Sequence, residues 1–158
     1  KLLILIRDPR AICNSMVHFL RQSHVAQHKI LNERVMSLDF DEQIRAVAVG
    51  FRDPDTGFEL PGIYNSCLGF TELRNAYPSA HLLRFEELVD PQKSPDLLAD
   101  IFEITADRAN SVINESLSTQ TRTKRDGSSD GWRKSFSPKL LAFFEAEYSS
   151  LLSDLGYS

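Results

Sequence analysis

Apolar residues recur along this chain in two rhythms. Leu2 to Ile6 is an unbroken apolar run, LLILI, the pattern of a short strand buried on both faces of a parallel sheet. It runs straight into Arg7, Asp8 and Pro9, with Asp8 where a helix N-cap would stand and Pro9 where helices best tolerate proline. Ile12, Met16, Phe19 and Leu20 then repeat at helical spacing, so a helix is predicted from Pro9 toward the Ser23 to Leu31 stretch. A second helix is predicted over Asp39 to Phe51, with Ile44, Val47 and Ala48 on one face. FRDPDTGFELPG, Phe51 to Gly62, reads as a loop because prolines, glycines and aspartates crowd into it, and its Phe51, Phe58 and Leu60 leave two readings open, a mobile apolar lid or an ordinary surface excursion. A helix over Tyr64 to Ala76 stops before Pro78, and AHLLRF, Ala80 to Phe85, supplies a second strand, ended by Glu86 and Glu87. Further helices fit Pro95 to Glu103 and Ala106 to Leu117. The polar stretch Ser118 to Gly131 reads as a loop. Last comes a helix over Pro138 to Leu152, capped by Ser137, with Leu140, Leu141, Phe144, Tyr148 and Leu151 on its buried side. Strands separated by helices predict an α/β domain with a parallel sheet flanked by helices, and two strands are too few to complete that sheet.

Composition narrows the picture. With 158 residues, 42% hydrophobic and 25% charged, the chain can bury the core of one globular domain spanning 1–158. A formal net charge of −4 argues against a nucleic-acid partner, so any anion site must be local. The two cysteines, Cys13 and Cys67, make neither a disulfide framework nor a metal site, which points to a reducing, cytoplasmic setting. No apolar run approaches the roughly 20 residues of a membrane span. His18, His24 and His28 have no carboxylate or cysteine set beside them, and no metal site is expected there. Because the chain opens on Lys1 already inside a strand-like run, it is expected to be a piece of a longer protein.

Arg7 is the most informative residue. At the carboxyl end of a parallel strand the next helix aims its N–H groups and positive dipole end at the crevice where α/β proteins bind ligands. A guanidinium there suits two phosphate oxygens at once. Ser15 lies seven residues beyond Asp8, close to two helical turns, so its hydroxyl can point along the same side. Residues alone leave two readings open: half a phosphate clamp, or an Arg7 paired with a neighbouring acid and a Ser15 that is merely small. Glu86 and Glu87 after an apolar strand have the look of a magnesium-dependent nucleotide hydrolase, but no GxxxxGK[ST] segment accompanies them.

LIRDPRAICNSMVHF, Leu5 to Phe19 with its preceding strand, resembles the 3′-phosphate-binding motif of the sulfotransferases that use 3′-phosphoadenosine 5′-phosphosulfate: an apolar strand, Arg-[Asp/Asn]-Pro, and a helix with Ser eight residues after the Arg. LLRFEELVDP, Leu82 to Pro91, is similar to the family's Leu-Tyr-Glu-Asp-Leu strand segment followed by Asp-Pro. RDGSSDGWRKSFSP, Arg125 to Pro138, resembles the family's C-terminal Arg-Lys-Gly-loop-Gly-Asp-Trp-Lys block. The three stand in the family's order and span nearly the whole chain. The resemblance implies a P-loop-NTPase-like parallel sheet, incomplete here, and transfer of a sulfuryl group from 3′-phosphoadenosine 5′-phosphosulfate, as co-substrate and without metal, to a small-molecule or glycan acceptor.

Carried over by position, it implies that Arg7, Ser15, Arg125 and Gly127 hold the donor's 3′-phosphate, that Phe85 and Leu117 flank its adenine, and that Trp132 is a packing anchor. Several positions depart from the pattern. Asp126 replaces a lysine, Asp130 and Gly131 stand in reversed order, and Phe85 replaces a tyrosine common in relatives. The Lys-, Ser-, Gly- and Thr-rich 5′-phosphosulfate loop and the histidine base of relatives are expected upstream of Lys1. Without them these residues offer half a donor site, and the alternative is a non-catalytic phosphoadenosine-binding module of the same fold.

Overall fold

A computed structural model describes residues 2–22, 33–118 and 130–157. In chain order its elements are β1 Leu3–Ile6, α1 Pro9–Gln22, α2 Phe40–Val49, β2 Gly50–Arg52, β3 Glu59–Pro61, α3 Ile63–Ala76, β4 His81–Arg84, α4 Phe85–Leu88, α5 Ser94–Phe102, α6 Ala106–Ser118, α7 Gly131–Ser135 and α8 Pro138–Asp154. The chain is mixed α/β, mostly helical, and forms two compact units: Lys1–Arg7 with Tyr77–Ser129, and Asp8–Ala76 with Asp130–Ser158.

In the first unit β1 pairs in parallel with β4, in a register that runs from Leu3 opposite His81 to Ile6 opposite Arg84. The expected burial of β1 on both faces is overturned. Ile4 and Ile6 are each 2% exposed, whereas Leu3 is 36% and Leu5 47% exposed. A run of apolar residues without alternation does not say which face is covered, and here the face carrying Ile4 and Ile6 is buried while the face carrying Leu3 and Leu5, which Leu83 shares by register, is left more open on β1. β4 also ends earlier than expected: Phe85 opens the short helix α4, because the Glu87 carboxylate accepts from the Arg84 N–H at 3.2 Å and turns the chain. α5 and α6 pack on each other, and α5 closes on Glu103 in the left-handed conformation, φ 55°.

In the second unit α1 packs against α2, α3 and α7. Its buried stripe is Ala11, Cys13, Asn14, Val17 and Leu20, while Phe19, expected on the apolar face, is 38% exposed. Which helices pack on α1, and not the size of its apolar side chains alone, decides which of them are covered. α8 starts as its sequence dictates: the Ser137 hydroxyl accepts from the Leu140 N–H at 3.1 Å. Leu140, Phe144, Tyr148, Leu151 and Leu152 are buried, and Leu141 is 38% exposed.

The expected Phe51 to Gly62 loop is a β-hairpin. β2 and β3 pair antiparallel, Phe51 opposite Leu60, and the turn is closed by Asp53 N–H to Phe58 C=O at 2.8 Å and Gly57 N–H to Asp53 C=O at 2.9 Å. The Asp53 side chain, 1% exposed, accepts from the Thr56 N–H at 3.1 Å. Aspartate and threonine at these positions build the turn from inside, which a count of loop-forming residues does not reveal. Amide exchange should therefore find Asp53 and Gly57 protected without any ligand, and exchange at the rate of an open chain would restore the lid.

Gly62 is fixed by close approach of backbone. A Cβ there would lie 2.2 Å from the Val49 carbonyl oxygen and 2.7 Å from that of Ala48, whereas one on Gly69 would meet nothing within 4 Å. Gly62→Ala should cost about 3 kcal/mol, a fall of roughly 6–12 °C in Tm, while Gly69→Ala in exposed α3 should gain up to ~1 kcal/mol. Thermal melts of both variants decide it, and equal shifts would contradict the packing described.

Candidate functional site

Arg7 and Phe85 each stand one residue past a strand end, Arg7 after β1 and Phe85 after β4. Since Ile6 is opposite Arg84, continuing the register by one step sets Arg7 beside Phe85. The guanidinium carbon of Arg7 lies 4.5 Å from the centre of the Phe85 ring, within cation–π range. Both side chains are half-buried. Two residues far apart in sequence thus meet at the carboxyl end of a parallel pair, the end at which α/β sheets bind ligands.

The second unit holds the start of α1. The Asp8 carboxylate accepts from the Arg10 backbone N–H at 2.9 Å and from the Arg10 guanidinium at 2.9 and 2.8 Å. Asp8 caps the helix, as its position suggested. An N–H group that was expected to face an anion is therefore already held by Asp8, and the helix N-terminus contributes less to an anion site than the sequence implied. Arg10 in turn lies 4.2 Å from the Trp132 ring centre, so the Asp-Pro-Arg turn is clamped to α7. Ser15 sits on α1, half-buried.

Trp132 is 2% exposed and packs against Phe136 at 5.6 Å between ring centres, a core position. Asp130 precedes α7 and pairs with Arg133 at 3.3 Å, while the Arg133 guanidinium also covers Trp132 at 4.5 Å. That cation serves the α7 turn. Arg125 and Gly127 lie outside the described residues, as do Arg122, Lys124 and Asp126; Leu117 falls on α6 with its side chain outside them.

Sequence reasoning missed Arg10, whose tie to Asp8 follows from the i, i+2 spacing but whose stacking on Trp132 depends on tertiary packing. It also missed a concavity of about 540 Å³ within the second unit, lined by Arg10, Trp132, Arg133, Phe144, Leu152 and Tyr157. Among the described residues none of the expected site residues borders it. Cys13 and Cys67 are both free and buried. Burial holds the Cys13 thiol far above its ordinary value, with Cys67 and Asp8 adding to it, and pushes Cys67 up to about 11, with Asp8 adding. Among the described residues no group of three or more His, Cys, Asp or Glu is placed to hold a metal ion, and no helix is long and apolar enough to cross a membrane. No family model matches the chain, and no curated protein or solved structure is significantly similar to it.

Proposed function

We propose that this chain is the C-terminal portion of a sulfotransferase and forms the 3′-phosphate and adenine side of its donor site. The observation that carries the reading is the meeting of Arg7 and Phe85 at the carboxyl end of the parallel β1–β4 pair. In this reading Arg7, Ser15, Arg125 and Gly127 hold the 3′-phosphate of 3′-phosphoadenosine 5′-phosphosulfate, and Phe85 and Leu117 lie toward its adenine. The acceptor, a hydroxyl or amine of a small molecule or glycan, attacks sulfur in line. The bond from sulfur to the 5′-phosphate oxygen breaks, 3′-phosphoadenosine 5′-phosphate leaves, and a base takes the acceptor's proton. In this reading the base and the 5′-phosphosulfate loop are supplied by residues other than these. Exposed Leu3 and Leu5, together with a β1 edge that has no second partner among the described residues, support a larger P-loop-NTPase-like sheet in the whole protein. Two buried free thiols support a reducing, cytoplasmic setting.

A second reading, a phosphoadenosine-binding module without catalysis, is favoured by Asp126 where a lysine would strengthen the clamp. Incubating the intact protein with donor carrying radioactive sulfur and a panel of hydroxyl and amine acceptors separates the two. Label in an acceptor supports the enzyme, and donor binding without label transfer supports the module. Absence of donor binding contradicts both.

A further inference from the structure

Resting on the donor-site reading above, we infer that Phe85 is a positioning residue for Arg7 and thereby sets the preference for a nucleotide with a 3′-phosphate. Resemblance assigns this ring to the adenine; the geometry gives one of its faces to the guanidinium, 4.5 Å away.

Three physical points carry the inference. First, the parallel register fixes the backbones of Arg7 and Phe85 side by side, so their meeting follows from Ile6 standing opposite Arg84 and needs no ligand. Second, an arginine side chain is rich in rotamers, and ordering it at the moment of binding costs affinity that a preformed contact saves. Third, attraction to a ring face uses the cation's charge and none of its five N–H donors, so the ring orients the guanidinium without competing with a phosphate for hydrogen bonds. The hydroxyl of the tyrosine common in relatives is not needed for any of this, since the π face of phenylalanine also attracts a cation. Leucine in place of Phe85 keeps an apolar side chain but has no such face.

Calorimetry on the intact protein tests this with two ligands, 3′-phosphoadenosine 5′-phosphate and adenosine 5′-phosphate, whose affinity ratio isolates the 3′-phosphate. Phe85→Leu should lower that ratio about 5- to 10-fold, since any loss of adenine contact falls on both nucleotides alike and cancels in the ratio. Phe85→Tyr should restore the ratio, and adding Phe85→Leu to Arg7→Ala should lower it no further. Equal losses for both nucleotides would assign the ring to the base and overturn the inference, as would an unchanged ratio. A wild-type protein that binds both nucleotides equally, or neither, would instead overturn the donor-site reading before any variant is made. Thermal melts of the variants separate misfolding from these results, and a Phe85→Leu protein that fails to fold leaves Phe85→Trp, expected to keep the ratio, to decide.

Discussion

Raising the pH from 7.5 to 10.5 should cost the folded protein about 4 kcal/mol, enough to lower its Tm by roughly 8–16 °C. The cause is the pair of buried thiols. Cys67 is 2% exposed and its pKa is pushed from 9.0 to about 11, and Cys13, fully buried, is raised further in the same direction. Well below pH 9 the thiols stay protonated in folded and unfolded chains alike, and their contribution is fully present. Above it the unfolded thiols ionise while the folded ones are held neutral, so each further pH unit costs about 1.4 kcal/mol per group until the folded value is reached. Tyr148, packed edge-on against Tyr64 at 4.9 Å and pushed by burial to about 12, extends the loss above pH 10. Melts at pH 7.5, 9 and 10.5 measure the slope. The double variant Cys13→Ala with Cys67→Ala should start less stable and fall less steeply up to pH 10. A wild-type Tm that holds steady to pH 10.5, or a double variant with the wild-type slope, would contradict desolvation of these thiols.

Arg7→Ala should weaken binding of 3′-phosphoadenosine 5′-phosphate by about 10- to 100-fold and of adenosine 5′-phosphate hardly at all. A hydrogen bond to a charged group contributes roughly 1.5–3 kcal/mol, and the guanidinium fork makes up to two on one phosphate. Position makes the difference specific, because Arg7 stands at the strand end beside Phe85 and not within the strand's buried face. Calorimetry with both nucleotides on the intact protein checks it. Equal losses for the two would mean that Arg7 supports the fold of the β1–β4 end and not the phosphate.

The helices were legible where local chemistry decides them. Ser137 caps α8 by its own hydroxyl, Asp8 caps α1 by its own carboxylate, and Pro78 follows the end of α3, each a rule acting over a few residues. Burial was less legible, because it depends on which neighbours arrive. LLILI looks the same whether one face or both are covered, and Leu141 sits one position from buried Leu140 on a helix whose rotation only packing determines. The hairpin from Gly50 to Pro61 was hidden for another reason: residues that signal a loop by composition, Asp53 and Thr56 above all, are those that hydrogen-bond a turn shut. At the candidate site, Arg7 and Phe85 were each found from sequence through separate motifs. Their contact was not, since it needs the strand register, a long-range fact. Stacking of Arg10 on Trp132 is of the same kind.

The claim on which the rest depends is recognition of a 3′-phosphate by this chain, and titration of the intact wild-type protein with 3′-phosphoadenosine 5′-phosphate and with adenosine 5′-phosphate measures it directly. Tighter binding of the 3′-phosphorylated nucleotide by at least about 10-fold, with the advantage shrinking as salt rises, is the expected result for a charge-assisted clamp around Arg7. Equal affinity for the two nucleotides, or binding of neither, would contradict it.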